Sequence, residues 1–199
     1  MGNHFYLIRH GETDWNRLKK IQGHTDIPLN GLGIQQANRL AKRLAGLPLR
    51  LICSSDLVRA RQTAEQVSRY HENIPLVQYQ EFRERNFGKW EGMDLEEIKK
   101  NFPDYEPGKH VGGRYGIESL EDMQERAVMK LKQLAQTYPD SHIAVVSHGG
   151  LINGLLLLLS NGSYGTGKTK LSNTSFNHIS YQSGEWTVHT INDSTHLDE

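Results

Sequence analysis

The sequence has 199 residues, 36% hydrophobic and 23% charged, a globular composition long enough for one domain with a real core. Its 23 Lys and Arg balance 23 Asp and Glu, which leaves no long-range basic field to condense on nucleic acid or an anionic membrane. One cysteine, Cys53, excludes an internal disulfide framework and any multi-cysteine zinc site, and suits a reducing compartment, so a cytoplasmic protein is expected.

Met1-Gly2-Asn3-His4 has no cationic region ahead of an apolar stretch and does not read as a secretory signal. Residues 5–8 form a brief apolar run closed by Gly11, which predicts a buried strand. From Leu32 the positions Ala37, Leu40, Ala41 and Leu44 keep the three-four spacing of an amphipathic helix that Gly46 and Pro48 end. A second strand over 49–53 leads through Ser54 and Ser55 into a helix marked by Leu57, Ala60, Ala64 and Val67, with Ser55 as its expected N-cap. Residues 74–79 predict a third strand, and 95–100 a short helix. The stretch 101–117 holds Pro103, Pro107 and several glycines with few apolar positions, and reads as a lid-like loop. Ser119-x-x-Asp122 has the capping-box pattern before a long helix through Leu120, Met123, Ala127, Leu131 and Leu134. Residues 142–147 make a fourth strand. The apolar segment 151–159 predicts a helix buried on all sides, well short of the ~20 residues of a membrane span. Residues 176–181 and 186–191 pair as a hairpin around Ser183 and Gly184. This alternation argues for one α/β domain over 1–199. It is expected to be a three-layer α/β/α sandwich, with a mainly parallel sheet and the hairpin as its antiparallel edge.

Two segments share one form, a strand followed by a polar residue, a histidine and a glycine: Arg9-His10-Gly11 and Ser147-His148-Gly149. In parallel sheets the ligand crevice lies beyond the carboxyl ends of the strands, so both imidazoles should emerge at one rim. Arg9 and Arg59, the latter in the first turn of the helix after the second strand, should join them. Two guanidiniums gathered there call for an anion, and Arg forks fit phosphate oxygens in bidentate geometry. The ten histidines include no H-E-x-x-H pair and there is no second cysteine, so no metal is expected. His24, His71, His110, His142, His178, His189 and His196 read by default as surface or packing residues, and Trp90 and Trp186 as core or hairpin packing.

The run Leu7-Ile-Arg-His-Gly-Glu-Thr-Asp-Trp-Asn16, followed by Gln22-Gly23 and Asp26-x-Pro28-Leu29, resembles the signature of the histidine phosphatase superfamily, also called the phosphoglycerate mutase-like family. Ser54-Ser-Asp-Leu-x-Arg59-Ala-x-Gln62-Thr63-Ala64, Glu84-x-x-Phe87-Gly88-x-Trp90-Glu91-Gly92, Ser147-His-Gly149 and Asn173-Thr174-Ser175 fall in the family order, over nearly the whole chain.

The resemblance implies that His10 is a nucleophile that becomes phosphorylated on its ring. It implies that Arg9, Arg59 and His148 bind the transferring phosphoryl group and that Asn16 donates a further hydrogen bond. Glu84 would protonate the leaving oxygen and then deprotonate the hydrolytic water, with Glu81 or Glu12 next in line for that role. Gln22, Gly23 and Gly149 complete the expected substrate-binding set. The expected substrate is a small phosphorylated metabolite, with no metal or organic cofactor, in a monomer or homodimer. Residues 87–92 resemble the phosphatase branch. A phosphoglycerate mutase is the alternative enzyme, and a non-catalytic phosphate-binding regulator the alternative of another class. Arg114, Lys168 and Lys170 are candidate contacts for a second acidic group on the substrate, against the plainer reading of solvated loop charges.

Overall fold

In the computed structural model, which describes residues 2–105 and 112–198, the first half of the chain runs β1 (Asn3–Arg9), α1 (Asp14–Arg17), α2 (Gly31–Leu44), β2 (Leu49–Ser54), α3 (Val58–Ser68) and β3 (Leu76–Gln78). It continues through α4 (Leu95–Asn101), α5 (Leu120–Thr137), β4 (His142–Ser147), α6 (Gly149–Leu159), β5 (Phe176–Gln182) and β6 (Glu185–Asp193). The strands form one sheet in the order β3-β2-β4-β1-β5-β6. The first four are parallel, while β5 runs antiparallel to β1 and β6 antiparallel to β5. This is the expected mixed α/β sheet with an antiparallel edge.

The unbroken apolar character of β1 and β4 follows from helices covering both faces. Side chains alternate across the strand, so Phe5 and Leu7 join the core beneath α5 and α6, while Tyr6 and Ile8 join the one beneath α2 and α3. At the hairpin, Ser183 and Gly184 both have positive φ (52° and 91°), the backbone that lets a two-residue turn match the strand twist.

Three expectations are corrected. Ser55 does not cap α3: its hydroxyl accepts from Leu57 N–H at 3.2 Å, and the Val58 N–H is taken at 2.6 Å by Asp26 Oδ1, a cap supplied through space. The third strand is confined to Leu76–Gln78. The helix α6 starts two residues earlier than the apolar run and is not buried all round, since Leu158 is 43% exposed. The short α1, capped by Thr13, follows from no apolar periodicity and was not anticipated.

The centre of the lid-like stretch, residues 106–111, lies outside the described residues, and with it Pro107 and His110. Its flanks are anchored. Phe102 and Ile117 are buried with Trp90 and Ile98, and Asp104 accepts from Arg114 Nη1 at 2.9 Å and from the Tyr115 hydroxyl at 2.6 Å. No helix among the described residues is long and apolar enough to cross a membrane.

Candidate active site

β1 and β4 lie side by side in parallel, with Arg9 opposite Ser147, so the chain leaves both strands at the same rim. His10 N–H donates to the Ser147 carbonyl at 3.0 Å, and the rings of His10 and His148 stand 5.2 Å apart at 60°. Arg59, fully buried in the first turn of α3, reaches the same place from the end of β2. Every expected site residue except His148 borders one cavity of about 190 Å³. His148 is buried beside His10.

His10 Nδ1 lies 2.7 Å from the Gly11 carbonyl. A carbonyl only accepts, so Nδ1 carries the proton and Nε2 the lone pair. Burial, then Arg59 and Arg9, hold His10 well below the usual imidazole range, and burial with Arg59 and His10 does the same for His148. Both rings are therefore neutral near pH 7.

The guanidinium of Arg59 donates to Gly23 O at 2.7 Å and Thr25 O at 2.9 Å, and that of Arg9 to Leu171 O at 2.6 Å. Burial lowers Arg59 to about 10, partly offset by Glu84, which leaves it charged at neutral pH. Arg9 is lowered in the same sense, again with Glu84 opposing. Among the described residues neither arginine has a carboxylate within ion-pair distance, and Arg9 Nε, Arg59 Nε and both ring nitrogens of His148 have no hydrogen-bond partner. A fully buried cation such as Arg59 without a counterion is costly by several kcal/mol, and a bound oxyanion would complete these donors.

Glu84 faces this cluster from the loop after β3. Its Oε1 accepts from Arg85 N–H and Leu151 N–H, each at 2.9 Å, and its Oε2 from Gly150 N–H at 2.9 Å, so the carboxyl is seated on the first turn of α6. A Cβ at position 150 would lie 2.6 Å from Glu84 Oε1, which is why glycine stands there. The loop is held from behind by Arg126, which donates to the carbonyls of Glu81, Arg83 and Glu84 at 2.7, 2.9 and 3.0 Å while its fork is paired with Glu118. Sequence reasoning missed Arg126. Its signal was a lone arginine in the amphipathic helix α5, indistinguishable there from a solvated charge.

The motif 87–92 does structural work beneath the site. The Glu91 carboxylate accepts from the backbone N–H groups of His24, Thr25 and Phe87 and from the Thr25 hydroxyl. That bond set fixes the loop whose Gly23 and Thr25 carbonyls hold Arg59. Gly23 itself has φ +51°, and a Cβ there would approach Glu91 Oε1 to 2.1 Å.

Asn16 Oδ1 accepts from Thr13 N–H at 3.1 Å and Asn173 Nδ2 at 3.3 Å, and Gln22 Oε1 from the Thr13 hydroxyl at 2.9 Å, so both residues keep their amide NH₂ groups for a ligand. Phe87 of the family-like motif also lines the cavity, as does Lys20, which was not singled out from the sequence. Arg114 is paired with Asp104, the Lys168 ammonium donates to the Gly162 carbonyl, and neither these nor Lys170 borders the cavity. Glu81 pairs with Lys130 at 3.0 Å and Glu12 accepts from Asn30 Nδ2 at 2.9 Å, both off the cavity wall, which leaves Glu84 as its carboxyl.

The family model described as histidine phosphatase superfamily (branch 1) matches residues 5–194. The chain is 36% identical over 192 residues to a protein named uncharacterized phosphatase PhoE from Bacillus subtilis, covering 96% of this chain and 95% of that one. It is 29% identical to the metal-independent phosphoserine phosphatase of Arabidopsis thaliana, over 96% of this chain and 82% of that one. Among solved structures, Bacillus stearothermophilus YhfR superposes with a TM-score of 0.89 at 30% identity, over 98% of this chain and 99% of that one.

Proposed function

Because the chain belongs to the histidine phosphatase superfamily, an enzyme family, we propose that it hydrolyses small phosphomonoesters through a phosphohistidine on His10. The observation that carries this reading is the His10 Nδ1–H bond to Gly11. It presents the Nε2 lone pair in a cavity that also holds Arg9, Arg59 and Glu84.

In the first step the Nε2 lone pair attacks phosphorus, the N–P bond forms and the P–O ester bond breaks. The leaving oxygen takes a proton from the Glu84 carboxyl, for which Oε2, with one N–H donor against two on Oε1, is the better placed oxygen. Arg9 and Arg59 offset the charge on the phosphoryl oxygens, with Asn16 and Gln22 supplying amide donors and His148 a ring nitrogen. In the second step Glu84 takes a proton from water as its oxygen attacks phosphorus, and the N–P bond breaks. Phosphate leaves and both residues return to their starting states.

A cavity of about 190 Å³ is well below the ~300 Å³ and more of pockets for drug-sized ligands. This supports a phosphoryl group on a short-chain alcohol or acid, that is, a small phosphorylated metabolite. Lys20 at the wall would suit a second anionic group on it. A metal has no role in the scheme, since the two arginines supply the positive charge. A single, buried Cys53 supports action in the reducing cytoplasm.

The test is a panel of phosphomonoesters offered to purified protein, with released phosphate and phosphoryl-shifted substrate both measured. Phosphate release supports the proposal. Return of the phosphoryl group to the substrate would make the protein a mutase, and tight binding without turnover a regulator.

A further inference from the structure

We propose that His4, His178 and His189 form a binding site for a divalent transition metal of the zinc type, at the end of the sheet opposite the active site. The three rings come from β1, β5 and β6, and one ligand atom from each lies within 4.8 Å of the others. His4 Nδ1 and His178 Nε2 face each other at 2.9 Å, with one nitrogen donating to the lone pair of the other. A cation between them takes the place of that proton, and two imidazole nitrogens each ~2.0–2.1 Å from a tetrahedral zinc stand roughly 3.3 Å apart, so a small opening of the pair suffices. The donor ring moves its proton to its other nitrogen, one lone pair from each of the three rings forms a metal bond, and no net proton leaves when the rings start neutral.

The third ring is placed by an irregularity of the sheet. His178 pairs with Thr190, yet Ile179 pairs with Val188, so His189 is an extra residue in β6. In an unbroken register His189 would stand opposite Ile179, whose side chain is fully buried in the core on the far face. The bulge turns it instead onto the face of His178, with ring centroids 4.6 Å apart, and Ser180 Oγ holds its Nε2 at 2.7 Å. His142 stacks on His4 at 4.6 Å and is itself held by the Tyr6 hydroxyl at 2.9 Å, which fixes the His4 ring from behind. His189 is exposed and His4 and His178 half-buried, which gives an ion an open approach. Imidazole ligation suits zinc, copper, nickel and cobalt, and three ligands leave a fourth position for water. The six steps along the chain from His4 to His10 span about 20 Å of extended chain, so the ion would brace the hairpin to β1 without entering the catalytic cavity.

The test is titration of chelator-stripped protein with zinc chloride alone and, separately, cobalt chloride alone. One equivalent should bind, cobalt should show the visible absorption of a nitrogen-ligated tetrahedral ion, and phosphatase turnover at one equivalent should be unchanged. His189→Gln, a surface change checked for native circular dichroism, and His178→Gln should each weaken binding by about tenfold or more. No saturable binding, binding that survives both substitutions, or inhibition in step with occupancy, which would place the ion at His10 and His148, overturns the proposal.

Discussion

His10 Nδ1 donates to the Gly11 carbonyl at 2.7 Å, and this one bond decides which ring nitrogen can become phosphorylated. With Nδ1 committed, the phosphoryl group should attach to Nε2. Quenching during turnover and mapping the acid-labile phosphopeptide should place the label on His10, and NMR of the phosphoimidazole should report the Nε2 isomer. His10→Ala should lower kcat by at least ~10³. Label on His148, or near-normal turnover by His10→Ala, contradicts the assignment.

The same burial that selects the tautomer sets the pH dependence. Unfolded, an imidazole titrates near ~6.5; folded, His10 and His148 resist the proton until well below that, because of burial and then Arg59, with Arg9 adding to the effect on His10. Between the two values the unfolded chain binds more protons. The stability these rings contribute is therefore full above about pH 6.5 and declines as pH falls toward their folded values. Melting temperature should drop from pH 7 to pH 5. The acid limb of kcat/KM, corrected for substrate ionisation, should lie below 6.5. A half-point at or above 6.5 that moves with His10 would mean the ring is charged in the free enzyme.

Glu84→Gln should separate good from poor leaving groups. A departing alkoxide needs the proton and a nitrophenolate hardly does, so single-turnover phosphoryl transfer from an alkyl phosphate should fall by on the order of 10² to 10⁴. The nitrophenol burst from p-nitrophenyl phosphate should fall less. Equal losses would make Glu84 an electrostatic or positioning group instead.

How far the sequence reached can be read from particular residues. Apolar runs ending in Arg9-His10-Gly11 and Ser147-His148-Gly149 placed both imidazoles at the rim, because parallel register is set by burial on both faces. Ser55 failed as a cap because the partner that won, Asp26, lies 32 residues before the Val58 N–H it accepts and arrives only after folding. Lys20 and Arg126 carry no periodic signal; their roles exist through loop closure alone. His4, His178 and His189 meet through strand register and a bulge, which spacing along the chain cannot show.

Activity should survive chelation. Arg9 and Arg59 already supply the positive charge that a metal brings to phosphoryl transfer elsewhere. Turnover in excess EDTA, with metal content assayed, should match that of untreated protein, even if the histidines at the far end of the sheet lose an ion. Loss of activity restored only by Mg²⁺, Mn²⁺ or Zn²⁺ would overturn the scheme.

Arg126 should behave as a positioning residue for Glu84. Its guanidinium spans three main-chain carbonyls of residues 81–84 while Glu118 holds its other edge, with Nε to Oε1 at 2.7 Å and Nη2 to Oε2 at 2.9 Å. Lysine keeps the charge but has no planar fork to serve carboxylate and carbonyls together. In Arg126→Lys the loop should relax and the Glu84 carboxyl shift on the first turn of α6, and a displacement of order 1 Å can remove about 10² in rate. The loss should therefore fall on kcat, be larger for alkyl than for nitrophenyl esters, and so mirror Glu84→Gln at smaller size. Melting temperature should fall as well, since bonds to half-buried carbonyls are lost, but stability alone would reduce all substrates equally. An even loss across leaving groups, in proportion to the unfolded fraction, would reduce Arg126 to a purely structural brace. A leaving-group bias in the fully folded variant, relieved by added guanidinium, would tie it to the acid.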